Sequence, residues 1–513
     1  MGTLHTKRIA FNTLFLYVRM LILMFVAFYT SRVLLRELGI NDFGLYGVVG
    51  GTVAIFSSLR GLFATATQRF LNFEMGRNNA NGLNTIFNIS LFINIIICIV
   101  FFICAEIIGL WFLVNKLIIA PERMDAAKWA FHFSVLASMI SILTIPFDAL
   151  IIAHEKMSFY AYVSILDACL KLGVIFILPY FAIDKLKLYA ALIVVVSLVI
   201  RFISSVYCKR NFPECKYKFC WDKKTFKEMG TFAGWNFAGN LAFALVNEGL
   251  NILLNLFGGV IANAARGIAY QVKNAITTML SNIMIAVDPQ ATQLYAQGEK
   301  QKFYSLLFTA SKIIVFFYLM MAFPLYFYTH EILQIWLGTI PKYAPDFIQA
   351  ILIYLMIRSF HGPIDAFFLT IGKLKTYQVT ELLILSLSLP ISYLALKYYD
   401  FPLYVVFYIM SIIEFINLLL ILKWAIKIGG FDLKQYFYQV IFPCLYTFIC
   451  ASSILYSIQF YIHSQKITNI NCIIISIIIQ FIIFMPITFF IGFSSKERAV
   501  IKSVVKKKKQ DDK

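Results

Sequence analysis

Two neighbouring apolar segments of this sequence carry polar and cationic side chains at helical spacing. At about 100° per residue, the members within each segment share one face. They are Asn236, Asn240, Asn247 and Asn251 with Glu248 beside them in the first segment, and Arg266, Tyr270 and Lys273 in the second. Amides hydrogen-bond to hydroxyl groups, arginine matches phosphate oxygens bidentately and lysine acts as a point charge. The pattern therefore predicts a polar, cationic surface suited to binding an anion.

Three further arginines, Arg19, Arg60 and Arg358, also lie within apolar segments. A charge at the centre of a bilayer costs about 2.5–3.5 kcal/mol even on the insertion scale, so such residues usually face a cavity or a partner. We expect these cations to line the same binding surface, with Glu248 and Asp365 as candidate ion-coupling carboxylates. Structural readings stay open, because membrane asparagines also bond between helices and carboxylates also form ion pairs. Lys171 is four residues after Asp167 and is expected to pair with it, whereas Arg201 and Lys312 are expected to reach the headgroups.

The composition places these segments in a membrane. Apolar residues make up 60% of the 513 residues and charged residues 14%, compared with about 45–50% and 25% in soluble domains. We predict an all-α polytopic protein with about fourteen membrane spans of roughly 20 residues. The predicted spans are 9–31, 44–66, 86–114, 129–153, 158–182, 187–208, 231–257, 262–287, 304–328, 347–371, 377–397, 402–426, 436–461 and 469–492.

Lysine and arginine are concentrated in the connections on the side of the N-terminus. Since basic loops stay in the cytoplasm, both termini are predicted to be cytoplasmic. The net charge of +19 indicates attraction to anionic lipids, each basic residue near the headgroups contributing about 1 kcal/mol. No aromatic stacking platform accompanies the basic residues, so we expect no nucleic-acid partner. On the opposite side, Glu122, Arg123 and Asp125 are expected to form a solvated rim.

A basic segment divides the predicted spans into two sets of six, with two spans left over. The sequence Ala-Thr-Gln occurs at 66–68 and at 291–293, each time after a glycine-containing turn, at Leu38-Gly39 and at Phe257-Gly258. Two six-helix repeats would share one membrane topology. The predicted division is therefore an N-lobe (1–208), a basic linker (209–230), a C-lobe (231–427), two C-terminal helices (428–495) and a basic tail (496–513).

The sequence lacks the signatures of membrane enzymes that we considered. It contains no Gly-x-x-x-x-Gly-Lys-Ser/Thr loop for nucleotide phosphates and no His-Glu-x-x-His metal motif. The predicted connections are too short for a catalytic domain. We therefore expect no enzymatic activity, no cofactor and no bound metal, and we favour a secondary carrier.

Several sequence strings are similar to one family of membrane carriers. The strings are Asn12-Thr13-Leu14-Phe15-Leu16-Tyr17-Val18-Arg19-Met20, Tyr29-Thr30-Ser31-Arg32, Asp42-Phe43-Gly44-Leu45-Tyr46, Val48-Val49-Gly50-Gly51, Thr67-Gln68-Arg69-Phe70-Leu71, Asn263-Ala264-Ala265-Arg266-Gly267-Ile268-Ala269 and Asp288-Pro289-Gln290-Ala291-Thr292-Gln293. Over residues 8–80 and 228–300 they resemble the Wzx-type O-antigen and capsular polysaccharide flippases of the multidrug/oligosaccharidyl-lipid/polysaccharide exporter superfamily.

The resemblance implies a V-shaped, MATE-like pair of six-helix lobes with two additional C-terminal helices. It also implies a function, the transfer of undecaprenyl-pyrophosphate-linked oligosaccharide repeat units across the bacterial inner membrane by alternating access, for lipopolysaccharide or capsule synthesis. Proton or sodium coupling is optional, and a polysaccharide polymerase and a chain-length regulator are implied partners. Two alternatives stay open: a MATE-type multidrug efflux antiporter and a non-transporting subunit of a glycan-assembly complex.

Overall fold

The computed structural model is helical throughout most of its described part. It describes residues 2–57, 67–68, 70–71, 74–75, 79–154, 156–216, 222–371, 374–429, 431–464, 470–495 and 497–499. Within these ranges, the description of side chains excludes residues 2–19, 51–57, 224, 232–245, 285–286, 289, 296, 374–376, 429, 455–464 and 470–477. No strand occurs among the described residues.

Fifteen helices of the described part are used below. They are α1 (Gly2–Ser57), α2 (Ala80–Asn115), α3 (Met124–Ala153), α4 (Met157–Ile177), α5 (Lys185–Asn211), α6 (Lys223–Ala296), α7 (Lys300–Phe327), α8 (Thr329–Leu337), α9 (Ala344–Arg358), α10 (His361–Thr370), α11 (Leu374–Ser386), α12 (Ser388–Tyr398), α13 (Val405–Gly429), α14 (Phe442–Ser464) and α15 (Ile470–Ile487). A π-helical turn at Ala105–Gly109 interrupts α2.

Helices α1 and α6 each bend sharply at one glycine. Gly39 has φ 75° and ψ 169°, and Gly259 has φ 63° and ψ −167°. This region of φ/ψ space is essentially restricted to glycine. The first bend lies in the predicted turn at Leu38-Gly39, and the second lies one residue beyond the turn predicted at Phe257-Gly258. The same rare conformation therefore joins the first and second predicted spans and the seventh and eighth.

Ten segments in the described part of the chain are long and apolar enough to cross a membrane. They correspond to predicted spans three to six and nine to thirteen, with spans seven and eight counted together as Val246–Met284. Predicted spans one and fourteen include residues without described side chains, and span two includes residues outside the described ranges. Within span fourteen lies the shorter apolar helix Ile478–Gly492. The predicted all-α class is confirmed, and about fourteen spans is consistent with these helices.

The chain divides into two compact units. Unit 1 contains residues 1–268 together with Trp336–Tyr343, and unit 2 contains residues 269–335 and 344–513. The short insertion is held in unit 1 by Trp336, whose indole N–H donates to the backbone oxygen of Phe28 at 2.8 Å. Because the predicted lobes rest on repetition along the sequence and these units rest on packing, the domain division at 208 and 231 stays a prediction.

An arginine clamp joins three connections of unit 1. The guanidinium of Arg123 donates to Asp42, with Nε 2.9 Å from Oδ1, and to Asp184, with Nη1 2.5 Å from Oδ2. Asp184 also caps α5 by accepting from the backbone N–H groups of Leu186 and Lys187. Burial alone would raise the pKa of Asp184. The hydrogen bonds from Arg123 and from the backbone lower it by more, so the pKa is below its ordinary value. Glu122 and Asp125 are exposed, as expected for a solvated rim, whereas Arg123 is partly buried between two carboxylates.

A buried ion pair joins α7 to the residues after α15 in unit 2. Lys312 is only 3% exposed and its ammonium lies 2.5 Å from Oε2 of Glu497. Glu497 also accepts from the hydroxyl of Thr309 and from the backbone N–H of Ser494. The expectation that Lys312 reaches the headgroups was therefore wrong, because its ammonium is buried and pairs with Glu497 inside the unit. Lys171 pairs with Asp167 at 2.7 Å, as predicted.

Candidate functional site

The predicted polar stripe of α6 forms a continuous hydrogen-bond network in unit 1. Arg266 donates to the backbone oxygen of Asn247 at 2.8 Å. The amides of Asn247 and Asn251 donate to the two carboxylate oxygens of Glu248 at 3.0 and 3.2 Å. Asn263, which follows the bend at Gly259, donates to Oδ1 of Asn251 at 2.8 Å. The bend thus folds the two arms of α6 so that their polar faces meet.

The network continues beyond the predicted residues. Asn255 donates to Oδ1 of Asn263 at 2.9 Å and accepts from the backbone N–H of Ile118 at 2.8 Å. Asn251 also donates to the backbone oxygen of Gly47 on α1 at 3.4 Å. Asn251, Asn255 and Asn263 are buried. These amides therefore bond to other helices and connections, the structural reading that the sequence left open, and a substrate-binding role for Asn247 and Asn251 stays a prediction.

Glycines allow the arms that follow the two bends to cross closely. A Cβ at Gly44 would lie 1.9 Å from the carbonyl oxygen of Val260 and 3.1 Å from the backbone nitrogen of Ala264. A Cβ at Gly267 would lie 3.5 Å from the ring of Phe43, and one at Gly47 would lie 3.9 Å from the carbonyl oxygen of Asn263. Phe43 and Asn263 each come four residues after their bend glycine, and Gly47 and Gly267 each come eight after it. The crossing is thus locally two-fold symmetric, as expected for two copies of one motif.

Arg358 belongs to a charged cluster in unit 2. Its Nη1 atom donates to Oε1 of Glu381 at 2.6 Å and to Oε1 of Glu414 at 3.0 Å. Nδ1 of His361 lies 3.2 Å from the same Nη1, and Nε2 of His361 lies 3.2 Å from Glu414. Both glutamates and the histidine are buried. Two carboxylates therefore neutralise Arg358, so its predicted role as a free cation for an anionic ligand has less physical support than its structural role.

Lys273 has a different environment in unit 2. Its ammonium lies 4.5 Å from the ring centroid of Tyr270 and 5.0 Å from that of Tyr354. Among the described residues, no carboxylate lies within ion-pairing distance of Lys273. Two tyrosine faces stabilise a cation without neutralising its charge. Lys273 also interacts electrostatically with Glu414, without a direct ion pair, so its charge is shared between that carboxylate and the two rings.

The candidate coupling carboxylates are both hydrogen-bonded. Glu248 accepts from the two asparagines described above. Asp365 on α10 accepts from the hydroxyl of Tyr377 at 2.5 Å. Asp365, Arg358 and His361 line a cavity of about 380 Å³ in unit 2. Ion coupling at either carboxylate stays a prediction.

Four predicted site residues lie beyond the side-chain description. Arg60 is outside the described residues altogether, and Arg19, Asn236 and Asn240 lie on α1 and α6 without described side chains. Their proposed place on the binding surface stays a prediction. Within the part of the chain that the structure describes, no group of histidine, cysteine, aspartate or glutamate side chains could hold a metal ion.

A stronger internal repeat than Ala-Thr-Gln is present and was missed by the sequence analysis. Five residues of the segment 146–160 recur 217 positions later, in the segment 363–377. The pairs are Pro146 and Pro363, Asp148 and Asp365, Ala149 and Ala366, Lys156 and Lys373, and Tyr160 and Tyr377. Comparing the spans on either side of the basic segment at a fixed offset would have revealed this repeat.

Comparisons with known proteins identify the fold. The MatE family model matches residues 237–394, and a search of curated proteins gave no match. An inward-facing multidrug resistance MATE family transporter of the MOP superfamily is similar with a TM-score of 0.68 and 13% identity, over 80% of this chain and 97% of that one. The lipid II flippase MurJ in an inward closed conformation is similar with a TM-score of 0.67 and 12% identity, over 94% of this chain and 99% of that one. A MOP superfamily transporter from Pyrococcus furiosus, described as having a binding pocket of reverse polarity, gives 0.59 and 14%, over 80% and 94%. The chain is therefore a polytopic membrane protein with a MATE-like fold.

Proposed function

We propose that this protein transfers undecaprenyl-pyrophosphate-linked oligosaccharide repeat units across the bacterial inner membrane by alternating access, with both termini in the cytoplasm. The fold supports a carrier, since the similar structures are described as transporters and a lipid flippase. The match to the lipid II flippase extends over 94% of this chain. This coverage is greater than that of two six-helix lobes alone and supports counterparts for the two C-terminal helices.

The observation that carries the proposal is the environment of Lys273. Lys273 is held by two tyrosine rings and interacts with Glu414 only at longer range, without a direct ion pair, so an anionic ligand could compete for its ammonium. A pyrophosphate carries several negative charges and would gain a charge-assisted hydrogen bond from this ammonium.

The membrane potential supplies a driving force for such a substrate. An inside-negative potential favours outward movement of an anion by about 2.3 kcal/mol per charge per 100 mV. Proton or sodium antiport is therefore an addition to the proposal and not a requirement. If flipping responds to voltage but not to pH or sodium, ion coupling at Glu248 or Asp365 is excluded. The flippase proposal itself is unaffected by that result.

A MATE-type efflux antiporter is the alternative with the same fold. Cationic drugs call for a surface of acidic and aromatic groups, and the paired Glu381 and Glu414 are the acidic groups nearest to that description. Arg358 pairs with both of them but offsets only one of their two charges, so this cluster does not by itself decide between a cationic and an anionic substrate. A non-transporting subunit of a glycan-assembly complex is the second alternative and predicts no dependence on Lys273.

The proposal is tested with three substitutions in a bacterial strain whose surface glycan depends on this protein. Lys273→Met should reduce the surface glycan by about tenfold or more at an unchanged level of membrane protein, since one charge-assisted contact contributes about 1.5–3 kcal/mol. Lys273→Arg, which keeps the charge, should retain most of the glycan. Gel analysis of the glycan and immunoblotting of the protein give both readouts.

Lys397 offers a matched control. It also lies over two tyrosine rings, at 5.3 and 5.4 Å, but at an exposed helix end. Lys397→Met should leave the glycan unchanged. Normal glycan in Lys273→Met, or equal losses in both methionine variants, would contradict the proposed role of Lys273.

A further inference from the structure

A second cavity lies entirely within unit 1, among α1, α3, α4 and α5. Its volume is about 600 Å³, which is within the range of about 300–1,000 Å³ usual for small-molecule sites. Leucine, isoleucine and valine side chains supply its apolar walls. Its polar lining consists of Thr30, Ser141, Thr144, Asp148, Tyr160, Ser164, Asp167, Lys171 and Ser197.

The 217-residue repeat makes this cavity the counterpart of the 380 Å³ cavity in unit 2. All five α3 residues that line the first cavity have counterparts that line the second. The pairs are Ser141 and Arg358, Thr144 and His361, Ile145 and Gly362, Asp148 and Asp365, and Ile152 and Leu369. Each unit therefore holds one copy of the same cavity, built around the same aspartate.

The two copies differ in what fills them. In unit 2 the guanidinium of Arg358 bonds to Glu381, which occupies part of the space with an internal ion pair. In unit 1 the positions of Arg358 and Glu381 are taken by Ser141 and Ser164. Small hydroxyl side chains replace the ion pair, in agreement with the larger volume. The unit 1 copy has an ion pair of its own, Lys171 with Asp167, but at the positions of Arg358 and Glu381 it has small side chains and the larger open volume.

The hydrogen-bonding polarity of the unit 1 cavity indicates what kind of ligand fits. The hydroxyls of Thr144, Ser164 and Ser197 donate to backbone oxygens four residues earlier in their own helices, at 2.7, 2.8 and 2.9 Å. Their oxygens can therefore only accept bonds from a ligand. Asp148 and Asp167 are also acceptors, and Lys171 is paired with Asp167. With these three hydroxyl oxygens and two carboxylates, acceptors outnumber the donors supplied by Lys171 and the remaining hydroxyls, which suits a ligand rich in hydroxyl groups.

We infer that the cavity of unit 1 is a subsite for an uncharged sugar ring of the transported lipid-linked oligosaccharide, separate from the cationic region proposed for the pyrophosphate. This inference rests on the proposed function for its biological substrate, but binding of a free sugar tests it alone. The apolar walls contact the ring faces, and the acceptors bind the ring hydroxyls.

The test measures binding of free sugars to the full-length protein in lipid nanodiscs. Saturation-transfer NMR is run with glucose, galactose, N-acetylglucosamine and their disaccharides, with glucuronate as an acidic sugar and inorganic pyrophosphate as the anion. We expect saturable binding of at least one neutral sugar and weaker binding of glucuronate. Absence of binding by every neutral sugar, or a preference for glucuronate, overturns the inference.

Two variants locate the sugar. The double substitution Ser141→Arg with Ser164→Glu copies the ion pair of unit 2 into unit 1 without changing the net charge, and it should weaken neutral sugar binding by about tenfold or more. Ala168→Phe, which fills the same cavity from α4, should do the same, whereas the adjacent and exposed Cys169→Phe should have no effect. Pyrophosphate binding should be unchanged in all three.

Sugar binding that survives both cavity variants overturns the inference. Parallel loss of sugar and pyrophosphate binding also overturns it. The cavity would then affect binding at every site of the protein, for example as a cation-coupling site, and would not be a sugar subsite. A wild-type protein that binds neutral sugars in this cavity but does not move lipid-linked oligosaccharide would instead refute the proposed function and leave the subsite standing.

Discussion

Three cations inside this protein are stabilised in three different ways. Arg358 is paired with two buried glutamates, Lys273 is held by aromatic rings, and Arg266 donates to the backbone oxygen of an asparagine. The type of partner decides what remains for a ligand, because a carboxylate cancels the charge and a ring or an amide does not. Sequence spacing made Arg266, Lys273 and Arg358 equal candidates for binding an anion. Their different partners in the structure distinguish them.

Removal of Arg358 should destabilise unit 2. In Arg358→Met, two carboxylates that are at most 5% exposed lose their counter-charge, and breaking a buried pair from one side typically costs about 3–5 kcal/mol. We expect a markedly lower unfolding temperature in detergent, measured by intrinsic fluorescence. The triple variant with Glu381→Gln and Glu414→Gln should recover most of the loss. An unfolding temperature unchanged in the single variant would show that the cluster is not an obligatory ion pair.

At the scale of elements, the bends of α1 and α6 place two polar arms against each other. Positive φ at Gly39 and Gly259 directs the arms, and small residues allow them to approach. The asparagine network then fixes their register through Asn251 and Asn263. Alternating access would require a crossing of this kind to form and separate, since it joins corresponding parts of the two predicted repeats.

Gly44→Ala tests the closeness of this crossing. Its Cβ would overlap the carbonyl oxygen of Val260, and overpacking against backbone typically costs about 1–3 kcal/mol or more. We expect lower thermal stability and loss of surface glycan. Gly50→Ala is the matched control on the same helix, because no described atom lies within 4 Å of a Cβ there. Equal behaviour of the two variants would mean that the helices do not cross at Gly44.

The pairing of α7 with the segment after α15 should depend on pH. Burial raises the pKa of Glu497, but bonds from Lys312 and Ser494 lower it further, so its net pKa is below the ordinary value of 4.5. A depressed carboxyl pKa contributes stability above the unfolded pKa and loses it as pH falls through the folded pKa. Glu497→Gln should therefore lower the unfolding temperature at pH 7, and its difference from wild type should shrink at pH 4. A difference that is the same at both values would contradict the ion pair.

At the scale of the whole molecule, the sequence predicted the features that follow from hydrophobicity and glycine chemistry. The helical class was predictable because apolar runs of span length have few alternatives, and Gly39 marked a bend. Pairing across the chain was not predictable in the same way. Glu497 lies 185 residues from Lys312 and Asp42 lies 81 from Arg123, and nothing local in the sequence connects them.

The residues of the candidate site stay predictions. Helical spacing identified Asn247, Asn251 and Lys273, but spacing on one helix cannot reveal what the neighbouring helices present. Asn255 was missed although it follows Asn251 by four residues and extends the same face, and it completes the network. The paired cavities were missed because the correspondence of Asp148 and Asp365 is visible only when the sequence is compared with itself at an offset of 217 residues. The local pattern around either aspartate does not reveal it.

The central claim is most directly tested by reconstituting the purified protein into liposomes that contain fluorescent undecaprenyl-pyrophosphate-linked oligosaccharide. Accessibility of the glycan to an external glycosidase or lectin then reports its transfer between leaflets. For the proposed flippase, transfer should be faster than in protein-free liposomes, should increase when the potential favours movement of the anion, and should be slowed by Lys273→Met. Transfer no faster than in protein-free liposomes, together with transport of cationic drugs by the same preparation, would contradict it.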